Sequence, residues 1–105
     1  MINITENAAR QIKISMKETD VEGLSLRIAA KRKEDGTLDY AMGFDESDHN
    51  DSHSRSNGIE IVVGPTSTGL LQHATLDYVE MDDGEYRFIF INPNDPGHVP
   101  PQEDQ

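Results

Sequence analysis

The apolar positions follow two periods. After Thr5, residues Ala8, Ala9, Ile12 and Met16 recur at helical spacing, so the sequence predicts an amphipathic helix of about four turns. Thr5 is its N-cap, and the Glu6 carboxylate sits at the positive end of the helix dipole. Gly23 is the expected stop. Arg10, Lys13 and Lys17 line the opposite face, either solvated or as a docking surface. From Leu24 the period falls to two: Leu24, Leu26, Ile28 and Ala30 share one face of a half-buried strand, and Leu38, Tyr40, Met42 and Phe44 form a second. Asp35-Gly36 between them predicts a hairpin with a type I′ turn, whose positive φ glycine adopts freely and Asp tolerates.

Residues 45–58 contain no apolar side chain and have nothing to bury, which predicts a mobile acidic loop. Ile59, Ile61 and Val63 restore strand alternation until Gly64-Pro65 ends it. Thr66 to His73 is expected to form a short helix, capped by Thr66-Ser67-Thr68, with Leu70 and Leu71 towards the core. Thr75 to Met81 and Glu85 to Ile91 read as strands joined across Asp82-Asp83-Gly84. The polar, proline-rich residues 95–105 predict a disordered tail after a single domain over 1–94. The fold class is therefore α+β: a compact β-rich domain of about five or six strands, an N-terminal helix and a short second helix.

Length allows one modest core, since a chain of 105 residues buries roughly two-thirds of its unfolded surface. No apolar run approaches the roughly 20 residues needed to cross a bilayer, and the first residues lack a signal-peptide pattern, so a cytoplasmic protein is expected. The net charge of −11 is unevenly spread: residues 1–33 carry +3 and residues 34–105 carry −14. A surface that acidic repels phosphate backbones, which argues against nucleic acid and leaves solubility, cations or a basic partner. With no cysteine there is no disulfide framework, thiolate metal site or cysteine nucleophile.

The order and spacing of Gly23-Leu24, Tyr40 and Phe44, Ile61-Val62-Val63, Leu70-Leu71, Leu76-Asp77-Tyr78-Val79 and Asn92-Pro93-Asn94 resemble the A-type iron–sulfur carriers (HesB/IscA-like). The resemblance runs from Ile4 to Asn94. It implies a β-rich domain flanked by helices, in a family that assembles as dimers or tetramers. Such proteins hold iron or an iron–sulfur cluster between subunits for delivery to apoproteins. Their hairpin cysteine aligns with Asp35, and the cysteines of their C-G-C motif align approximately with Val99 and Pro101. Cluster iron is normally held by cysteine sulfur, so this chain reads as a degenerate, cysteine-less carrier. The resemblance implies a non-catalytic accessory or interaction role beside iron–sulfur biogenesis proteins or client apoproteins, with no cofactor of its own. Loss of a shared cluster removes one reason to dimerise, so a monomer or weak homodimer is expected.

Two metal readings stay open. Asp35 and His98 define one candidate, shared across a dimer and short of ligands. Asp48-His49-x-Asp51-x-His53 defines another, although two imidazoles four residues apart share a face only on a helix. A further alternative is a small-molecule site that reuses the vacated cluster cavity beside Tyr40 or Tyr78. Catalysis has little to stand on: Ser67 lies outside a G-x-S-x-G setting, the histidines at 49, 53, 73 and 98 are dispersed, and Gly58, Gly64 and Gly69 make no phosphate cradle.

Overall fold

The computed structural model describes residues 2–96. Its first element, β1 (Asn3–Ile4), pairs in parallel with β6 (Thr75–Glu80), a long-range contact that two residues of sequence do not announce. Helix α1 (Glu6–Glu18) opens as expected, with Thr5 Oγ1 accepting the Ala8 N–H at 3.2 Å. The same hydroxyl donates to Asp77 Oδ1 at 2.6 Å, so the aspartate of Leu76-Asp77-Tyr78-Val79 ties the helix start to β6. The stop is not Gly23. Asp20 takes φ 60°, its N–H reaches Lys17 O at 3.3 Å, and the Val21 N–H reaches Met16 O at 3.0 Å. This is a Schellman ending in which a short polar side chain tolerates the left-handed position.

Strands β2 (Ser25–Arg32) and β3 (Leu38–Asp45) pair from Ser25↔Asp45 to Arg32↔Leu38. Their turn differs from the type I′ expectation. In it only Gly36 has positive φ, at 91°, while the Gly36 N–H bonds Lys33 O and the Lys33 N–H bonds Thr37 O. A type I turn followed by a left-handed glycine bulge accounts for this pattern. The hairpin from β6 to β7 (Tyr86–Ile91) repeats it, with Gly84 at φ 84°.

The loop expected over 45–58 gives way to a strand at Ser52. Strand β4 (Ser52–Ser56) runs antiparallel to β5 (Ile59–Val63), and Asn57 and Gly58 both take positive φ between them. Backbone bonds to β5 form this strand without apolar side chains, and Ser56 Oγ accepts the Ile4 N–H at 2.9 Å. The helix expected over 66–73 shrinks to one 3-10 turn at Gly69–Leu71, and Thr68 makes no side-chain cap there. Ser67 instead donates its hydroxyl to Ala30 O at 3.2 Å and accepts the Ala30 N–H at 3.1 Å. It takes over where the β2–β5 pairing, Leu26↔Ile61 and Arg27↔Val62, has ended.

The described strands number seven rather than five or six, in two sheets ordered β3-β2-β5-β4 and β1-β6-β7. Ile4, Ile12, Leu26, Ile28, Ile61, Leu71 and Leu76 fill the core between α1 and the sheets. Among the described residues no helix is long and apolar enough to cross a membrane.

Candidate functional site

The β2–β3 hairpin carries Asp35 at its tip. Asp35 Oδ1 accepts the Thr37 hydroxyl at 2.6 Å and the Thr37 N–H at 3.0 Å. Those bonds, the hydroxyl's foremost, hold its carboxyl below the usual carboxylate range. Arg32 Nη1 donates to Gly36 O at 2.6 Å, bracing the turn from the other side. The carboxylate is thus engaged in building the turn.

The Asn92-Pro93-Asn94 turn is equally constructive. Asn92 is fully buried; its Nδ2 donates to Leu70 O at 2.8 Å and its Oδ1 accepts the Asn94 N–H at 2.9 Å. Asn94 Nδ2 donates to Gln72 O at 2.7 Å, so the turn satisfies carbonyls that the short 3-10 element leaves over. The chain then crosses to β3. Asp95 accepts the Leu38 N–H at 3.3 Å through Oδ1 and the Tyr40 hydroxyl at 3.0 Å through Oδ2. The Tyr40 ring stacks on Phe90, with centroids 4.4 Å apart and planes within 8°. Burial, with the Asp95 carboxylate adding to it, pushes the Tyr40 hydroxyl pKa up to about 12. Pro96 Cγ lies 3.9 Å from where a β-carbon on Gly36 would stand. The chain leaving the turn therefore arrives at the tip of the β2–β3 hairpin. His98, Val99 and Pro101 lie outside the described residues.

The second candidate is organised by a residue that the sequence reading had not singled out. Arg27 donates to both oxygens of Asp51, at 3.0 and 2.7 Å, to Asp45 Oδ2 at 2.7 Å and to Glu46 O at 3.1 Å. The Asp51 side chain is only 4% exposed. The Arg27 hydrogen bond, reinforced by the Asp48 N–H, lowers its pKa to about 2. His49 Nδ1 lies 3.3 Å from Asp48 Oδ1, and His53 is on β4. This is a clasp closed by a guanidinium. Among the described residues no three His, Cys, Asp or Glu side chains converge to hold a metal ion.

Beside the tyrosines other rings pack. Phe90 covers Tyr40, and Tyr78 lies 4.7 Å from Phe88 and 5.5 Å from Tyr86. Ser67 is committed to the backbone of Ala30. Asn92 was legible only as part of the Asn92-Pro93-Asn94 turn, and Asp95 falls in the segment expected as a disordered tail, because their partners stand 22 and 55 residues away in sequence.

Residues 1–99 match the family described as iron-sulphur cluster biosynthesis. The chain belongs to that family. Within it, the chain is 36% identical over 94 residues to the iron-sulfur cluster insertion protein ErpA of Ruthia magnifica subsp. Calyptogena magnifica, covering 89% of this chain and 80% of the relative. It is 35% identical over 94 residues to SufA of Bacillus subtilis strain 168, covering 89% and 78%. The crystal structure of IscA with its 2Fe–2S cluster superposes with a TM-score of 0.74 at 26% identity, over 89% of this chain and 86% of that one. Escherichia coli SufA shares the fold, with a TM-score of 0.70 at 20% identity over the same shares. This family member has no thiolate to offer, since no cysteine is present, and Asp35 at the tip of the β2–β3 hairpin has its Oδ1 engaged by Thr37.

Proposed function

We propose that this chain is a non-catalytic accessory protein of iron–sulfur protein biogenesis in the cytoplasm, which keeps the carrier scaffold but does not hold a cluster through thiolates. One observation carries the reading. The segment after Asn92-Pro93-Asn94 still runs to the β2–β3 hairpin, through Asp95 on Tyr40 and Pro96 beside Gly36, while the aligned ligand positions are Asp35, Val99 and Pro101. Iron–sulfur clusters are overwhelmingly bound by cysteine sulfur, and valine and proline offer no side-chain donor. The scaffold therefore acts through its surface, on a ligand-bearing relative or on a client apoprotein, and as a monomer or weak homodimer.

Two measurements test this. Anaerobic reconstitution with iron and sulfide is expected to leave the wild-type chain without a stable chromophore, whereas Asp35→Cys/Val99→Cys/Pro101→Cys gains one. Stoichiometric labile sulfide on the wild type overturns the loss of ligands. Affinity capture from native extract is expected to recover iron–sulfur biogenesis proteins or their clients; a partner list without either contradicts the accessory role.

A further inference from the structure

Between α1 and the β4–β5 hairpin lies an open groove of about 590 Å³. Arg10, Lys13 and Lys17 from the helix and Arg55 from β4 stand around it, against the carboxylates of Glu22 and Glu60. Arg10, Lys13, Ile14 and Lys17 fall at helical spacing, so they form one continuous stripe. Ile14 is 43% exposed, and with Leu24 it gives the groove an apolar floor. Lys13 Nζ lies 3.0 Å from where a β-carbon on Gly58 would be, so the glycine of the tight turn leaves room for the ammonium. A recess of about 400 Å³, lined by Arg10, Lys13, Asn57, Ala9 and the carboxylate of Glu6, continues along the helix.

Charge decides what fits. On a chain of net charge −11, four cations and two carboxylates surround this groove. Arg55 is paired with Glu60 at 3.3 Å, while Lys13 and Lys17 make no ion pair among the described residues. We propose that the groove docks an acidic amphipathic segment of a partner protein, its apolar side chains on Ile14 and Leu24 and its carboxylates on Lys13 and Lys17. The inference rests on the interaction role proposed above and assigns it a surface. A long polyanion is repelled by the rest of the molecule, and a phosphate backbone has no use for an exposed isoleucine. A short peptide instead places its few charges within a Debye length, about 8 Å, of the lysines. Apolar anchors at helical spacing flanked by matching charge are the usual signature of a helix lying in a groove.

The test uses the full chain and a fluorescent peptide of about three helical turns, with leucines at i, i+3 and i+7 and glutamates on the flanks. Anisotropy is expected to show salt-sensitive binding, weakened about tenfold by Lys13→Glu/Lys17→Glu and about fivefold by Ile14→Ser. Lys31→Glu/Lys33→Glu makes the same change in net charge on the β2–β3 hairpin and is expected to leave binding within about twofold. Circular dichroism checks that each variant folds. Equal losses in the two double variants, no binding by the wild type, tighter binding of a DNA oligonucleotide or of anionic vesicles, or sedimentation showing a second copy seated in the groove would each overturn the proposal. Peptide binding without capture of iron–sulfur proteins leaves the groove standing and sinks the accessory role. Capture unaffected by Lys13→Glu/Lys17→Glu does the reverse.

Discussion

Asp95 accepts the Tyr40 hydroxyl at 3.0 Å, and this bond, with the Leu38 N–H at 3.3 Å, docks the end of the described chain onto the first hairpin. Asp95→Ala leaves a half-buried phenol and a backbone N–H short of an acceptor, which is expected to cost about 1–3 kcal/mol in urea melts. An unchanged midpoint would mean that water replaces the carboxylate without loss.

Tyr40 also sets an alkaline limit. Its folded pKa of about 12 exceeds the ordinary 10.0, so the folded state keeps a proton that the unfolded chain releases. The stability this contributes is complete below pH 10 and is lost as pH rises towards 12. Tyr40→Phe is expected to flatten that decline. Ultraviolet titration should show a phenolate step near pH 12 that Tyr40→Phe removes, and a high-pH curve that the substitution leaves unchanged in shape would contradict the burial argument.

Asn92 is the polar group on which the second half of the fold turns. Asn92→Ala strips Leu70 O of a 2.8 Å donor and the Asn94 N–H of its acceptor inside a fully buried site. The loss is expected to be about 2–3 kcal/mol, read as a lower urea midpoint at unchanged slope. A loss below about 0.5 kcal/mol would reduce the turn to a surface feature.

Arg27 and Asp51 set the acid behaviour of the segment before β4. The folded pKa of Asp51, about 2, lies below its ordinary 3.8, so its contribution is present above 3.8 and disappears as pH falls through about 2. Arg27→Met is expected to weaken that acid dependence, leaving the share owed to the Asp48 N–H on Asp51 Oδ2 at 2.7 Å, and to speed amide exchange at Asp48 and Asp51 about tenfold or more. Exchange that stays slow would show that β4 alone orders the loop.

Gly58 couples the tight turn to the helix. At φ 82°, with Lys13 Nζ against the site of any β-carbon, Gly58→Ala is expected to destabilise the chain by about 1–2 kcal/mol and to displace the lysine. Thermal melts of Gly58→Ala in the wild-type and Lys13→Ala backgrounds separate the two effects. Equal losses in both would leave only the backbone strain.

Periodicity and chemistry were legible from residues alone. The helix over Glu6–Glu18 and the alternating strands β2, β3, β5, β6 and β7 follow from local spacing, because a 3.6 or 2 repeat places apolar side chains on one face whatever lies opposite. The absence of a thiol is likewise a property of composition. Tertiary structure decided what depends on partners far along the chain. Ser52–Ser56 became a strand because β5 offered backbone donors and acceptors, and Asn57-Gly58 was the turn signal that could have revealed it. Asp20 replaced Gly23 as the helix stop, Ser67 filled the place of a missing strand beside Ala30, and Asp51 met Arg27 rather than a histidine. A side chain's inventory of donors and charges is written in its identity. Which of several equally suitable partners it meets is settled only when the sheets bring distant backbone together.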